Sequence, residues 1–140
     1  MTAQIARIGV IIPPMLLGLA ALSTAQAAEP TGTLTLACEG TEITERDAGT
    51  SSKRVNIGVI VDFQKKVIHG VSDSRHGPLT ITDINEMRLD FLKYETWGTR
   101  TTWIMTGTLD RISGALTAKE AVESQTVSWN LQCKPTQRVF

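Results

Sequence analysis

The most regular feature of the chain, from Thr33 onward, is the recurrence of apolar residues at every second position. This period is typical of β-strands that bury one face and expose the other to water. Comparable alternation appears in residues 87–91, 103–109 and 127–133. The clearest case is the segment of residues 55–63, whose odd positions carry Val55, Ile57, Val59, Val61 and Phe63.

Polar segments that are rich in turn-forming residues separate these runs. The longest is the segment of residues 40–53, which is expected to be an extended and mobile loop. Shorter loops are expected at residues 72–78, 93–100 and 120–125. The pattern predicts about eight strands, near residues 33–38, 54–63, 66–71, 79–83, 86–92, 101–109, 113–119 and 126–133.

Short links between successive strands favour an all-β, antiparallel, up-and-down β-barrel, and a two-sheet β-sandwich is the main alternative. No long amphipathic helix is apparent in the sequence. A carrier of small ligands should leave a cavity in the barrel, whereas a barrel filled by the larger inward side chains should not, and binding would then use the loops. These larger inward side chains are Phe63, Phe91, Trp103, Met105 and Trp129.

The first 27 residues have the three regions of a secretory signal peptide. Arg7 supplies the positive charge, an apolar run broken by Gly and a Pro pair follows, and Ala25 and Ala27 provide the small residues at the cleavage position. A retained membrane anchor is the alternative, but the run is short of the roughly 20 residues that span a bilayer. We therefore expect export to the periplasm or the extracellular space and a single all-β domain over residues 28–140.

The charge balance argues against two classes of partner. The full sequence has 14 basic and 14 acidic residues. Cleavage of the predicted signal peptide removes one basic residue, Arg7, and leaves a net charge near −1. There is no basic stripe for nucleic acid, and no polybasic segment or second long apolar run for a membrane. The exported product is not expected to be an integral membrane protein. An unknown protein or a small-molecule ligand remains as the partner.

Cys38 and Cys133 are the only cysteines in the sequence. Cys38 continues the inward even positions of the first strand, and Cys133 continues the inward odd positions of the last strand. Closure of a barrel makes those two strands neighbours, so a structural disulfide is predicted in an oxidising compartment. A reactive or metal-binding thiol pair is the alternative, although neither cysteine has a second Cys or His close by in sequence.

Two histidines and an aspartate raise the question of catalysis. His69, Asp73 and His76 lie within one short segment and could form a metal site or part of a hydrolase. The other interpretation is a pair of exposed loop histidines beside a turn-forming aspartate. No zinc spacing, phosphate-binding glycine loop or dinucleotide motif occurs, so no cofactor, metal site or enzymatic activity is expected.

Trp97 and Tyr94 are the candidate ligand-binding residues. Both belong to a segment that is otherwise polar, where an exposed aromatic side chain can anchor a partner or stack on a sugar ring. Alternatively, Trp97 could fold back and close one end of the barrel.

The stretch from Asp110 to Gly114 combines an acid, a base, a hydroxyl and a glycine, but it is interpreted as a turn. Asp110 is expected to accept backbone N–H groups, and Gly114 to adopt a positive φ. Ile112 is expected to cover the open end of the sheet. Arg111 has no evident structural task, and an ion pair with a nearby carboxylate is the expected one.

Four short motifs together resemble a group of small exported proteins of rhizobial alphaproteobacteria. They are LACEG at residues 36–40, VDF at 61–63 followed by KKV at 65–67, GTLDRISG at 107–114 and the closing LQCKPTQRVF at 131–140. The resemblance implies an exported compartment, a fold shared with that group and a disulfide between Cys38 and Cys133, and it implies no activity.

The function indicated by these observations is a non-enzymatic binding or inhibitor-like module. A structural or stress protein of the cell envelope, with no discrete site, is the alternative. The hydrolase or metal site of His69, Asp73 and His76 is the second alternative.

Overall fold

The computed structural model describes residues 31–71 and 76–136 of the 140-residue chain. The signal-peptide prediction, Asp73 and the last four residues of the closing motif lie outside the described residues. The strands, in chain order, are β1 (Thr33–Arg46), β2 (Gly49–Asp62), β3 (Val67–His69), β4 (Leu79–Ile84), β5 (Arg88–Trp97), β6 (Arg100–Asp110), β7 (Ala115–Val122) and β8 (Gln125–Pro135).

The eight strands form a closed barrel in which each strand pairs with the next in sequence. All pairings are antiparallel, and β8 returns to pair with β1 over eleven residue pairs, from Leu36↔Pro135 to Arg46↔Gln125. The barrel prediction is therefore confirmed, and the sandwich is not adopted. Within the described ranges, no helix is long and apolar enough to cross a membrane.

The expected loop of residues 40–53 was wrong. β1 and β2 pair without interruption from Thr33↔Asp62 to Arg46↔Gly49, and only Asp47 and Ala48 form the turn. The upper part of this hairpin extends beyond the apolar core, so its inward positions are polar and the alternation stops although the strands continue. Alternation reports the burial of one strand face, not the length of the strand.

The loops expected at residues 93–100 and 120–125 were wrong for the same reason. β5 continues to Trp97 and pairs with Arg100 across a turn of two residues, Gly98 and Thr99. β7 and β8 pair up to Val122↔Gln125. The three long hairpins point in the same direction, and we call this side of the barrel the hairpin end. The opposite side carries the turns at residues 63–66, 85–87 and 111–114, and we call it the turn end.

Apolar side chains fill the middle of the barrel. Phe91, Met105, Trp103 and Trp129 are all buried, as their positions in the alternation predicted, and Phe63 packs against the core from a half-buried position. Phe91 lies over Gly107, where an added Cβ would meet the ring at its Cζ and Cε2 atoms. A side chain at this position would displace the ring, so Gly107 leaves room for a large aromatic residue at the centre of the core.

A disulfide joins Cys38 in β1 to Cys133 in β8. The two residues are direct register partners at the seam where the last strand closes the barrel, and both side chains are buried. The bond is compatible with an oxidising, exported compartment. It closes a loop of 95 residues, for which loop entropy gives an upper stabilisation of about 4–5 kcal/mol.

Candidate functional site

Trp97 is the most exposed large apolar side chain among the described residues, with 85% of its surface accessible. It is the last residue of β5, beside the turn at Gly98, so it lies at the tip of a paired hairpin and not in an irregular loop. Its exposure shows that it does not fold back to close the barrel. A rigid hairpin thus presents an indole ring to solvent.

Tyr94 also lies on β5, with 59% of its surface exposed. Its position in the strand alternates with the buried Leu89 and Phe91, which places it on the outer surface of the barrel. It pairs with Ile104 of β6, and Ile104 pairs with Ala121 of β7. Tyr94 therefore begins a short apolar row that crosses three strands just below the hairpin end.

Two rows that are polar except for Leu92 lie below this apolar row on the outer surface of β5–β8. The upper row runs from Leu92 through Thr106 and Lys119 to Ser128, and the lower row runs from Asp90 through Thr108 and Thr117 to Asn130. The side chains of both rows line a shallow groove of about 700 Å³. The groove is bordered by the apolar row that contains Tyr94.

The inner surface of the hairpin end contains two buried tryptophans whose N–H groups are satisfied by carboxylates. The indole nitrogen of Trp103 donates to Glu120 Oε1 at 2.6 Å, and that of Trp129 donates to Glu42 Oε2 at 3.1 Å. Lys53 Nζ lies 2.9 Å from Glu42 Oε1. These charge-assisted bonds mark the level at which the apolar core ends and the polar rim begins.

The sequence analysis did not identify Glu42 and Glu120 as residues of interest. Both occupy inward positions of their strands, in phase with Leu36 and Leu116. A carboxylate on the inward face of a strand, near the level of a buried tryptophan on another strand, is the signal that could have revealed them.

An open cup lies above Trp129 inside the hairpin end, with a volume of about 700 Å³. Its lower wall is apolar, from Ile57, Val71 and Val127, and its rim is polar. At the rim, Arg46 donates from Nε to Gln125 Oε1 at 2.8 Å, which links the tips of β1 and β8.

His76 stacks on Trp103, with ring centroids 4.1 Å apart and planes 11° apart. Its Nδ1 lies 3.1 Å from Glu95 Oε1. His69 is exposed at the end of β3. The expectation of two exposed histidines holds for His69, which is exposed at the end of a strand, and was wrong for His76, whose ring packs against the barrel.

The structure gives no support to a metal centre at these histidines, since no group of three or more His, Cys, Asp or Glu residues within the described part of the chain is arranged to hold an ion. Among the residues that the structure describes, His76 contacts Glu95 and Trp103. Asp73, the third member of the predicted hydrolase or metal site, lies outside the described residues.

The stretch from Asp110 to Gly114 is a turn, as predicted from the sequence. Asp110 Oδ1 accepts the backbone N–H of Ser113 at 2.8 Å and of Ile112 at 2.9 Å. The bond from Ser113 has the larger effect and the bond from Ile112 the next. Both lower the pKa of Asp110 below its ordinary value, since they stabilise the carboxylate. Gly114 has a φ of 77°, and an added Cβ there would lie 2.4 Å from the carbonyl oxygen of Cys133.

The expected role of Arg111 was wrong in its partner. Its guanidinium donates from Nη1 to the backbone carbonyl of Asn85. The backbone N–H of Arg111 donates to the backbone carbonyl of Met87 at 2.8 Å. Arg111 therefore links the β6–β7 turn to the β4–β5 turn. Ile112 does not cover the barrel, because 74% of its surface is exposed.

Comparison with models of protein families, with curated proteins and with solved structures finds no match. The resemblance to small exported proteins of rhizobial alphaproteobacteria therefore stays a prediction from the motifs.

Proposed function

We propose that the protein is an exported, non-enzymatic binding module that recognises its partner with the β5–β6 hairpin. The observation that carries the proposal is the exposure of Trp97 at the tip of this hairpin and of Tyr94 on the same strand. Its compartment is an oxidising one, the periplasm or the extracellular space, in keeping with the buried disulfide at the seam of the barrel.

The packing of the barrel supports a surface site over an internal one. A carrier of small molecules encloses its ligand in the middle of the barrel. That position is occupied here by Phe91, Met105 and Leu116, all of which are buried. A partner must therefore contact the outer surface or the open hairpin end.

The chemistry of the hairpin tip is that of a binding anchor. Trp and Arg are enriched among the residues that dominate binding energy at interfaces, and Trp97 pairs directly with Arg100 at this tip. Strand pairing fixes the backbone at Trp97 before binding, so little backbone entropy is lost on association. An exposed Trp on a well-paired hairpin costs solubility and contributes nothing to the core, which favours a role in binding.

Site-specific photocrosslinking tests the proposal. A benzophenone amino acid replaces Trp97, and irradiation is performed in cells that export the protein naturally. We expect a discrete crosslinked adduct from position 97. The matched control places the same amino acid at Asn56, an exposed outer position of β2. No adduct is expected there, because β2 lies on another side of the barrel.

Once the partner is isolated, the Trp97→Ala variant should bind it about 30-fold more weakly, which corresponds to the loss of roughly 2 kcal/mol at an anchor residue. The thermal stability of the variant should be unchanged, since the indole is exposed. Equal or absent adducts at positions 97 and 56 would contradict the proposal and favour an envelope structural protein without a discrete site.

A further inference from the structure

The outer surface of β5–β8 carries a regular array of short polar side chains, which we call the hydroxyl face. It consists of Thr106, Thr108, Thr117, Ser128 and Asn130, with Asp90 at one end of the lower row and Lys119 within the upper row. The register places these residues in two parallel rows below the apolar row that begins at Tyr94. The array is therefore built by strand pairing, and its geometry is as rigid as the barrel wall.

Part of the hydrogen-bonding capacity of this face is used internally, and part is directed to solvent. Thr108 donates to Asp90 Oδ1 at 2.7 Å, and Arg88 Nε lies 3.1 Å from Asp90 Oδ2. By contrast, among the residues that the structure describes, Thr106 and Thr117 have no side-chain hydrogen-bond partner. Both are exposed. Their hydroxyl groups are available as donors and acceptors to a ligand.

The dimensions of the face suit an extended ligand. Strands lie about 4.8 Å apart and alternate residues on one strand about 6.8 Å apart, so four strands span about 14 Å. This width holds a few ring-sized units in a row. β-branched threonine side chains are restricted at χ1, which lowers the entropy lost when they bind.

We propose that the hydroxyl face and Tyr94 bind an uncharged, linear glycan chain that lies across β5–β8. The inference rests on the proposed binding function, because it names the class of ligand for the surface that includes Tyr94. An exposed aromatic ring packs against the apolar C–H face of a sugar. The adjoining hydroxyl, amide and carboxylate groups donate to and accept from the sugar hydroxyls.

The charges on this surface agree with an uncharged ligand. Arg88 and Asp90 form an ion pair, which leaves Lys119 as the one charge of the two rows without an opposite partner among the described residues. A single lysine is insufficient for a polyanion such as a nucleic acid, which requires several phosphate contacts. Both rows of the hydroxyl face also lack the aromatic side chains that dominate protein–protein contacts.

Two soluble probes test the inference: cellohexaose and the linear hexamer of N-acetylglucosamine. Titration of either hexamer into the isotopically labelled, disulfide-bonded protein should perturb amide resonances of β5–β8 and leave those of β2 unchanged, because β2 lies on the other side of the barrel. The Tyr94→Ala variant should bind about tenfold more weakly, because the aromatic platform is lost. The double variant Thr106→Val/Thr117→Val, which keeps the side-chain shape, should lose about tenfold through two hydroxyl groups.

The control is Thr50→Val, the same change at an exposed outward position of β2 on the far side of the barrel. It should bind the hexamers as the wild type does. Failure of both hexamers to bind up to their solubility limit would overturn the glycan inference, as would binding that the Tyr94 and threonine variants leave intact.

The two proposals fail separately. If the hexamers do not bind but crosslinking from position 97 still yields its adduct, the glycan inference is wrong and the binding function stands. If the hexamers bind through the hydroxyl face but position 97 yields no adduct, the hairpin tip is not the contact surface while the glycan inference stands.

Discussion

The side chains of Asp62, Asn85 and Asp110 perform the same task at the three turns of the turn end. In each, Oδ1 accepts a backbone N–H two or three residues further along the chain: Lys65 for Asp62, Met87 and Arg88 for Asn85, and Ile112 and Ser113 for Asp110. Short side chains that bond to their own backbone favour turns over strands. Individual residues thus determine where the strands reverse at this end.

The two aspartates give the stability of the protein an acid-dependent component. The backbone N–H of Lys65 is the main cause of a lowered pKa of Asp62 in the folded state, and the backbone N–H of Ser113 is the main cause of a lowered pKa of Asp110. A carboxyl whose pKa is lower in the folded state than in the unfolded state contributes its full stabilisation at pH values above the unfolded-state pKa, which is near 4. This stabilisation is lost as the pH falls through the folded-state pKa. The melting temperature should therefore decrease below about pH 4.

The Asp110→Asn variant isolates this component, because an asparagine oxygen can accept the same two N–H groups without titrating. At pH 7 its melting temperature should lie within a few degrees of that of the wild type, and it should fall less between pH 5 and pH 2. Calorimetry on both proteins measures the difference. Glu39→Gln, a charge change on the outer surface of β1, is the control. Identical acid profiles for the wild type and Asp110→Asn would show that the turn contributes no acid dependence.

At the scale of elements, β1 and β2 differ in their neighbours near the hairpin end. The upper half of β1 pairs with β2 on one side and with β8 on the other, up to Arg46. β2 pairs with β3 only from Ile60 to Asp62, so within the described residues its upper half has a single strand neighbour. Lys53, an inward-facing charge on this edge, is the kind of residue that discourages pairing with another chain.

Hydrogen exchange should detect this difference residue by residue. Amides of residues 41–46 should all exchange slowly, because both edges of β1 are paired there. In residues 49–57 of β2, slow and fast amides should alternate, since every second N–H faces the unpaired edge. Exchange measured by NMR at neutral pH tests this. Uniformly fast exchange across residues 41–53 would contradict the paired hairpin and support the mobile loop that the polar sequence predicts.

At the scale of the whole molecule, the disulfide reinforces the one seam that joins the two ends of the domain. Contacts between β1 and β8 link residues far apart in sequence, so they are costly in loop entropy before they form. Cross-linking Cys38 to Cys133 removes much of that cost from the unfolded chain. With total stabilities of about 5–15 kcal/mol, a contribution of up to about 4–5 kcal/mol is a large fraction.

Reduction of the disulfide should lower the midpoint of denaturant unfolding strongly, by an amount corresponding to at most about 4–5 kcal/mol. The double variant Cys38→Ala/Cys133→Ala should unfold near the midpoint of the reduced wild type. Its own midpoint should be insensitive to reductant, which serves as the control. A reduced wild type as stable as the oxidised one would show that β1 and β8 hold together without the bond.

The sequence alone was sufficient for the architecture and for the inward residues of the core. Alternation between apolar and polar positions is a local property, and it located all eight strands and the buried phase of Phe91, Trp103 and Trp129. The same phase placed Cys38 and Cys133 inside, and the turn at Asp110 followed from side chains that bond to their own backbone. These features depend on neighbours in the chain, which a sequence displays directly.

Only the tertiary structure decided the hairpin lengths, the partners of polar groups and the exposure of the aromatic residues. The bond between Trp129 and Glu42 spans 87 positions of the chain, and the rows of the hydroxyl face exist only once four strands are in register. His76 packs on Trp103, and Arg111 reaches the Asn85 carbonyl, for the same reason. Strand pairing sets such contacts across the barrel, and no local pattern encodes which residue will lie opposite.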